Sequence, residues 1–412
     1  MNDITRIREL AKRVKEFSLS PEMEKRRRLW TDHNSFVKTR PLIYIRSIPM
    51  MEFPITKEMT CEEPWMRRLE LELQTAKYRF SLREDTIVEP YVTIRATVDI
   101  DPQGIFGLPS ELEEKTSEIV CARYKPSIIE EDDVKKLHVM PYRVDEEDTK
   151  IKRERMEEVL DGILDVAVDR QAPLCSMWNN DISNLLAKLR GLEQIMWDAY
   201  DRPEWLHSLL GWMRDRVLEH IDQTEAAGGF RLNNHQNQAM PYCHELEPPS
   251  SSDKSVATKE LWGYAASQET TGFGPDLFEE FMFRYQKPIL ERYGLTAYGC
   301  CEDLTHKIDA ITTLKNLRRF SISAFTDVRT VAEKLNDKYI LSWRPNPASA
   351  CSYNLDEDFV RSELRNAADI FDANNCIWDV TLKDLETTNG DETAIIRWTD
   401  IIRDELERRY GD

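Results

Sequence analysis

The chain has 412 residues, 41% of them hydrophobic, with 75 acidic against 56 basic side chains and a net charge of −19. That acidity excludes the basic footprint a nucleic-acid binder needs, and no uncharged apolar window is long enough for a membrane-spanning helix. Eight cysteines scattered over such a length are not a disulfide framework, so reduced thiols and a cytoplasmic location are expected.

In chain order, residues 1–40 read as a charged helical arm without the apolar run of a leader. Pro41 opens a strand at 42–46, helical spacing follows over 56–85, and a second strand covers 89–98. Residues 100–155 are acidic and irregular and read as an insertion, with a small hairpin near 138–143. A helix over 153–164 then leads to a strand at 165–169, which 174–179 continues. Helices follow at 181–197 and from Asp201 to Ala227, the second with Asp201 as N-cap and Gly228-Gly229 as its stop.

Short apolar runs at 230–234, 261–266, 295–298, 319–323, 339–343 and 377–382 alternate with amphipathic segments, among them a helix over 275–292. This is the grammar of parallel α/β units. A single (β/α)8 TIM barrel over 41–412, with the N-terminal helical arm and the insertion at about 100–155, fits it best. No Gly-x-Gly-x-x-Gly opens a helix, so a dinucleotide fold is not expected.

Chemistry in such folds gathers at the carboxyl ends of strands, and several of these runs end in reactive groups. Ser267-Gln268-Glu269 and Cys300-Cys301-Glu302 supply carboxylates and thiols. Asn234 and Asn237 supply amides, and Arg344 a guanidinium suited to an anion. Glu269, Glu302 and Tyr298 are therefore the acid–base candidates, and Asn234, Asn237, Gln268 and Arg344 the substrate-holding ones. A plain reading stands beside each: adjacent cysteines are often small buried hydrophobes. Cys61, Cys121, Cys175 and Cys351 read as structural, and Met196, Trp197, Trp205, Trp212 and Met213 as core.

With Arg28-Leu-Trp30, His33-Asn34, Phe273-Gly-Pro-Asp-Leu-Phe-Glu-Glu-Phe281, Tyr298-Gly-Cys-Cys-Glu302 and the 382–398 tail, the chain resembles the uroporphyrinogen decarboxylase-like superfamily. The branch it is similar to holds the corrinoid-dependent methyltransferases. The resemblance covers nearly the whole length and rests on the order of its motifs. It implies a barrel with a cleft at its carboxyl face and a zinc ion. It also implies transfer of a methyl group from a small O- or N-methylated substrate to a corrinoid carrier protein.

Cys300 falls on the cysteine of the family's His-x-Cys pair, but Tyr298 stands where the histidine would be. Cys376 precedes the last strand, whereas Lys383, Asp384 and Glu386 follow it. The resemblance thus implies a rearranged zinc set of Cys300, Cys301 and His244, joined by a carboxylate. A decarboxylase or lyase acting on a small carboxylate, and a non-catalytic ligand-binding barrel, are the alternative functions. Whether the chain forms a homodimer stays open.

Overall fold

The computed structural model describes residues 2–112, 124–348, 351 and 355–411; Cys121 lies outside them. Ten strands run through the described residues: β1 (Ile43–Ile45), β2 (Tyr91–Arg95), β3 (Thr97–Val98), β4 (Val144–Asp145), β5 (Asp165–Asp169), β6 (Trp262–Ala265), β7 (Leu295–Tyr298), β8 (Leu317–Ile322), β9 (Ile340–Trp343) and β10 (Ile377–Leu382). Six of them form one curled parallel sheet in the order β1-β10-β9-β8-β7-β6. β2 and β5 pair in parallel as a separate two-stranded ladder, and β3 and β4 pair antiparallel. The class is therefore mixed α/β, with all the large sheet's carboxyl ends on one side.

The strands are short apolar runs because both faces are covered; every residue of β6, β7 and β9 is buried, as parallel sheets require. Alternation sorts the two faces of β10. Trp378, Val380 and Leu382 join a core with Phe371 and Trp398 from helices Glu357–Ala373 and Ala394–Tyr410. Asp379 and Thr381, between them, carry polar contacts instead.

The arm is two helices, α1 (Asp3–Ser18) and α2 (Pro21–Asn34), capped by the side chains of Asn2 and Ser20. α1 buries Ile7, Leu10, Ala11 and Val14, a helical stripe, against Leu69 and Leu73 of helix Pro64–Ser81 and against Val159, Leu160 and Val166. α2 brings Trp30, His33 and Asn34 to the sheet. The Trp30 indole donates to the Asp85 carbonyl at 2.7 Å, and His33 Nε2 lies 3.3 Å from Asp379. Arg319 donates to both Asn34 and Asp379, at 2.8 and 2.6 Å. The arm thus forms part of the core.

Several expected elements differ. The helix placed at 153–164 spans Glu146–Leu160, because Asp145 caps it and Asp161 ends it in the left-handed region at φ 52°. Rather than a hairpin of its own, the 138–143 segment leads into β4, which pairs with β3. The helix placed at 181–197 is two, Ser183–Arg190 and Leu192–Asp201, broken at Gly191 with φ 84°.

Asp201 therefore ends a helix, and Pro203, not Asp201, begins the next (Pro203–Ala226) without a side-chain cap. The 230–234 run contains a 3-10 turn, Leu232–Asn234. Residues 275–292 form Pro275–Phe278, a π-segment Glu279–Phe283, and Arg284–Leu290. Trp197 is 57% exposed rather than core. Among the described residues no helix is long and apolar enough to cross a membrane.

Candidate active site

The residues following β6, β7, β9 and β10 meet at the carboxyl side of the sheet. Gly299, just past β7, takes φ 100°, which breaks the strand's alternation. Tyr298 and Cys300, two apart, consequently face different surroundings. Tyr298 packs edge-on against Phe278 and Phe283 and donates to Gln286 Oε1 at 2.6 Å. Cys300 packs with Tyr264, Ala266 and Ala297. Tyr298 is fully buried, and burial, then the Glu302 charge, pushes its phenol far above its usual range.

Beside Cys300 stands a cluster built around Lys383 and Asp384, residues that the sequence places after the last strand without a role. Lys383, the first residue after β10, donates to Cys300 Sγ at 2.9 Å and to Cys301 Sγ at 3.0 Å. It also bonds both oxygens of Asp384, at 2.7 and 2.9 Å. The two sulfurs are 3.4 Å apart, and Cys301 Sγ lies 2.8 Å from Asp384 Oδ2. Arg344 donates to the Cys300 carbonyl at 2.7 Å and to Ser321 Oγ at 2.6 Å.

These contacts divide the two thiols electrically. The bond from Cys301, joined by the Arg344 and Lys383 charges, pulls the Cys300 thiol well below its ordinary range against the opposing effect of burial. Cys301 moves the opposite way, first through that same bond and then through burial. Burial works most strongly to lower the Lys383 ammonium, but the Cys300, Cys301 and Asp384 charges together outweigh it and raise its pKa. Positively charged neighbours thus favour the thiolate form at Cys300. A cleft of about 190 Å³ opens over it, lined by Cys300, Cys301, Phe325, Arg344, Lys383 and Asp384 among others.

The carboxylates have different tasks. Glu302, 2% exposed, accepts the backbone N–H groups of Ser267 at 2.9 Å and of Cys300 at 2.8 Å, so it ties the ends of β6 and β7 together. Burial, then the Cys300 charge, raises its pKa. Glu269 is half-buried and accepts from Ser183 at 2.8 Å, Asn184 at 3.0 Å and Gln268 at 3.1 Å. It borders a second, wider cleft of about 720 Å³ beside Asn184 and Trp197. Asn234 is engaged with Asp169 and its own turn, whereas Asn237 Nδ2 is buried with no partner among the described residues.

Two further residues were not singled out by their sequence. The segment after β5 turns through positive φ at Trp178 (75°) and Ile182 (66°), values at which bulky and β-branched residues are strained. This bend sets the half-buried Trp178 edge-on to Tyr264, with 5.3 Å between ring centroids. It also buries Asp181 to 1% exposure. The run Asn179-Asn180-Asp181 beyond a strand end was the available signal.

His244 is not brought to this cluster. It is 57% exposed, lies 3.4 Å from Asp32, and follows Cys243, which packs on Trp262 and Leu295 at the amino starts of β6 and β7. Cys376 likewise precedes β10. The donor set around Cys300 does not fit zinc. The position the two sulfurs and the Asp384 carboxylate surround is held by the Lys383 ammonium, which already supplies positive charge there, and no imidazole joins it among the described residues. Neither a family model nor a curated protein matches this chain.

Proposed function

We propose that the chain is a methyltransferase of the uroporphyrinogen decarboxylase-like kind. It would take a methyl group from a small O- or N-methylated compound held at the carboxyl side of the sheet, with a corrinoid carrier protein as acceptor. The observation that carries this reading is the Cys300–Cys301–Lys383–Asp384 cluster. Two cysteine sulfurs, an ammonium and a carboxylate share one cleft where the ends of β7 and β10 meet. Methyl transfer needs a leaving group relieved of its charge. Lys383 stands ready as a proton donor for an oxygen leaving group, and an amine leaving from a quaternary centre departs neutral.

The same reading takes the complete fold as a (β/α)8 barrel. In support, the segment leading to β2 lies against β1, where the Glu84 and Asp85 carboxylates accept the N–H groups of Ile45 and Ile43 at 2.9 and 2.7 Å. On the other side, Asn234 bonds Asp169 of β5, and the Gln236 N–H donates to the Trp262 carbonyl of β6 at 2.9 Å. The six-stranded sheet and the β2–β5 pair would thus supply the eight strands, with the 230–238 segment spanning from β5 to β6. The decarboxylase alternative is less well served. Both terminal nitrogens of Arg344 are already engaged by Ser321 and backbone carbonyls, which leaves them poorly placed to grip a substrate carboxylate.

The test mixes the protein with a cob(I)alamin-loaded carrier protein and a panel of methylated ethers and amines, following methyl-cobalt absorbance. We expect turnover with one class of donor and a loss of at least about a hundredfold in Cys300→Ser, the scale of removing a principal catalytic group. Full activity in Cys300→Ser, or no methyl-cobalt with any donor, would sink the reading.

A further inference from the structure

Two of the described cysteines differ in kind from the rest. Among the described contacts, none of Cys61, Cys175, Cys243, Cys351 and Cys376 bonds a second cysteine, a lysine or an arginine. Burial pushes Cys61, Cys175, Cys351 and Cys376 up to about 12 and also raises Cys243. Thiols so placed are inert.

Cys300 and Cys301 have what the others lack. Their sulfurs are 3.4 Å apart, and the Lys383 ammonium reaches both, at 2.9 and 3.0 Å. Asp384 lies 2.8 Å from Cys301 Sγ and holds Lys383 with both oxygens, at 2.7 and 2.9 Å. Both cysteines line the cleft of about 190 Å³, which opens to solvent at Phe325, a 73% exposed residue of the same lining. A sulfur beside cationic groups, a second sulfur in contact with it, a proton donor on both and a way in are what two-electron thiol oxidation requires.

We propose that Cys300 and Cys301 form a reversible oxidation site whose oxidant is a small hydroperoxide. With hydrogen peroxide, the Cys300 thiolate attacks one oxygen. An S–O bond forms, the O–O bond breaks, and the departing hydroxide takes a proton from Lys383 to become water. Cys301 Sγ then attacks the Cys300 sulfur. The S–S bond forms as the S–O bond breaks, and the second hydroxide leaves as water with the Cys301 proton. Two electrons pass from the sulfur pair to the peroxide, and Lys383 regains its proton from solvent.

Adjacency makes the product reversible. Neighbouring residues hold their Cα atoms roughly 3.8 Å apart, closer than the roughly 4.4–6.8 Å that a relaxed disulfide spans. The bridge is therefore strained, and strained disulfides are the readily reduced ones. A dithiol reductant returns the pair to its starting state. Oxidation would also switch off methyl transfer at the same cleft, the one consequence that rests on the methyltransferase reading.

The test treats the reduced full chain with hydrogen peroxide, alkylates the remaining thiols and maps peptides by mass. The peptide carrying Cys300 and Cys301 is expected to lose two hydrogens at least about tenfold faster than any of the other five cysteines reacts. Dithiothreitol is expected to restore it. Lys383→Gln should slow the loss about tenfold, the scale of one charge-assisted hydrogen bond. Cys301→Ser should stop at a sulfenic acid on Cys300, captured by dimedone. Should either variant fail to fold by circular dichroism, the natural chain still carries the comparison among its own cysteines.

Oxidation of the pair no faster than that of the other five would overturn the proposal. So would a product that dithiothreitol does not reduce, a bridge from Cys300 to Cys121 or to a second chain, an unchanged rate in folded Lys383→Gln, or a dimedone adduct confined to other cysteines in folded Cys301→Ser. Because oxidation is read by mass, failure of methyl transfer to cobalt leaves this result standing, and the converse also holds.

Discussion

Lys383 is the side chain on which the thiol pair turns, because its ammonium reaches both sulfurs. A charge-assisted hydrogen bond contributes roughly 1.5–3 kcal/mol, and one pKa unit corresponds to roughly 1.4 kcal/mol. Lys383→Gln should therefore move the ionisation of Cys300 upward by about one unit, with a Cys300→Ser control to assign the signal. Thiolate ultraviolet absorbance against pH reads it, and an unmoved midpoint would show that Arg344 and Cys301 suffice. At this scale the sequence was informative about where polar groups gather, since a polar cluster after a buried strand marks a strand end. It did not reveal direction. Glu302 looks like a free acid in sequence but turns back onto two backbone N–H groups, and Tyr298 looks like a neighbour of Cys300 but faces the helices.

The element that fixes those directions is the turn after β7. A Cβ at Gly299 would meet Leu304 Cδ1 at 2.6 Å and Ser321 Cβ at 3.1 Å, on a backbone held at φ 100°. Its carbonyl also accepts from Ser321 at 2.8 Å. Gly299→Ala should accordingly destabilise the protein by about 2–3 kcal/mol, combining backbone strain of roughly 1–2 kcal/mol with overpacking. Denaturant unfolding measures it, and a change below about 0.5 kcal/mol, the range of ordinary surface substitutions, would mean the turn relaxes freely.

Most strands were legible because apolar runs of four to six residues stand between breakers, but the 230–234 run, read the same way, contains a 3-10 turn. Helix boundaries were less so. Gly191 splits one expected helix, and Asp201 has a capping residue's identity but no capping geometry. The bend after β5 was illegible because it depends on strain at Trp178 and Ile182, residue types that ordinarily avoid positive φ.

At the scale of the whole molecule, the N-terminal helices are joined to the sheet through a buried charge network, and its titration should govern acid stability. His33, 1% exposed, is held below its ordinary pKa chiefly by burial, which the Asp379 contact opposes. Asp379, although burial works to raise it, is lowered to about 2 by Arg319 and His33. Both groups bind protons more readily in the unfolded chain, so both make stability fall as pH falls.

The His33 contribution is complete above about pH 6.5, the unfolded histidine value, and diminishes below it. The Asp379 contribution is complete above about pH 4 and declines toward pH 2, worth roughly 2 kcal/mol over that span. His33→Gln keeps a hydrogen-bonding side chain facing Thr39 and Asp379 but removes the titration. Its melting temperature should therefore lack the decline between about pH 6.5 and 5 that the natural chain shows. Asp379→Asn should be far more damaging, roughly 3–5 kcal/mol, because it strands the Arg319 guanidinium in the core. Equal pH slopes for the natural chain and His33→Gln between about pH 6.5 and 5 would remove His33 from that role, since Asp85 and Glu405, both also lowered to about 2, act only below about pH 4.5.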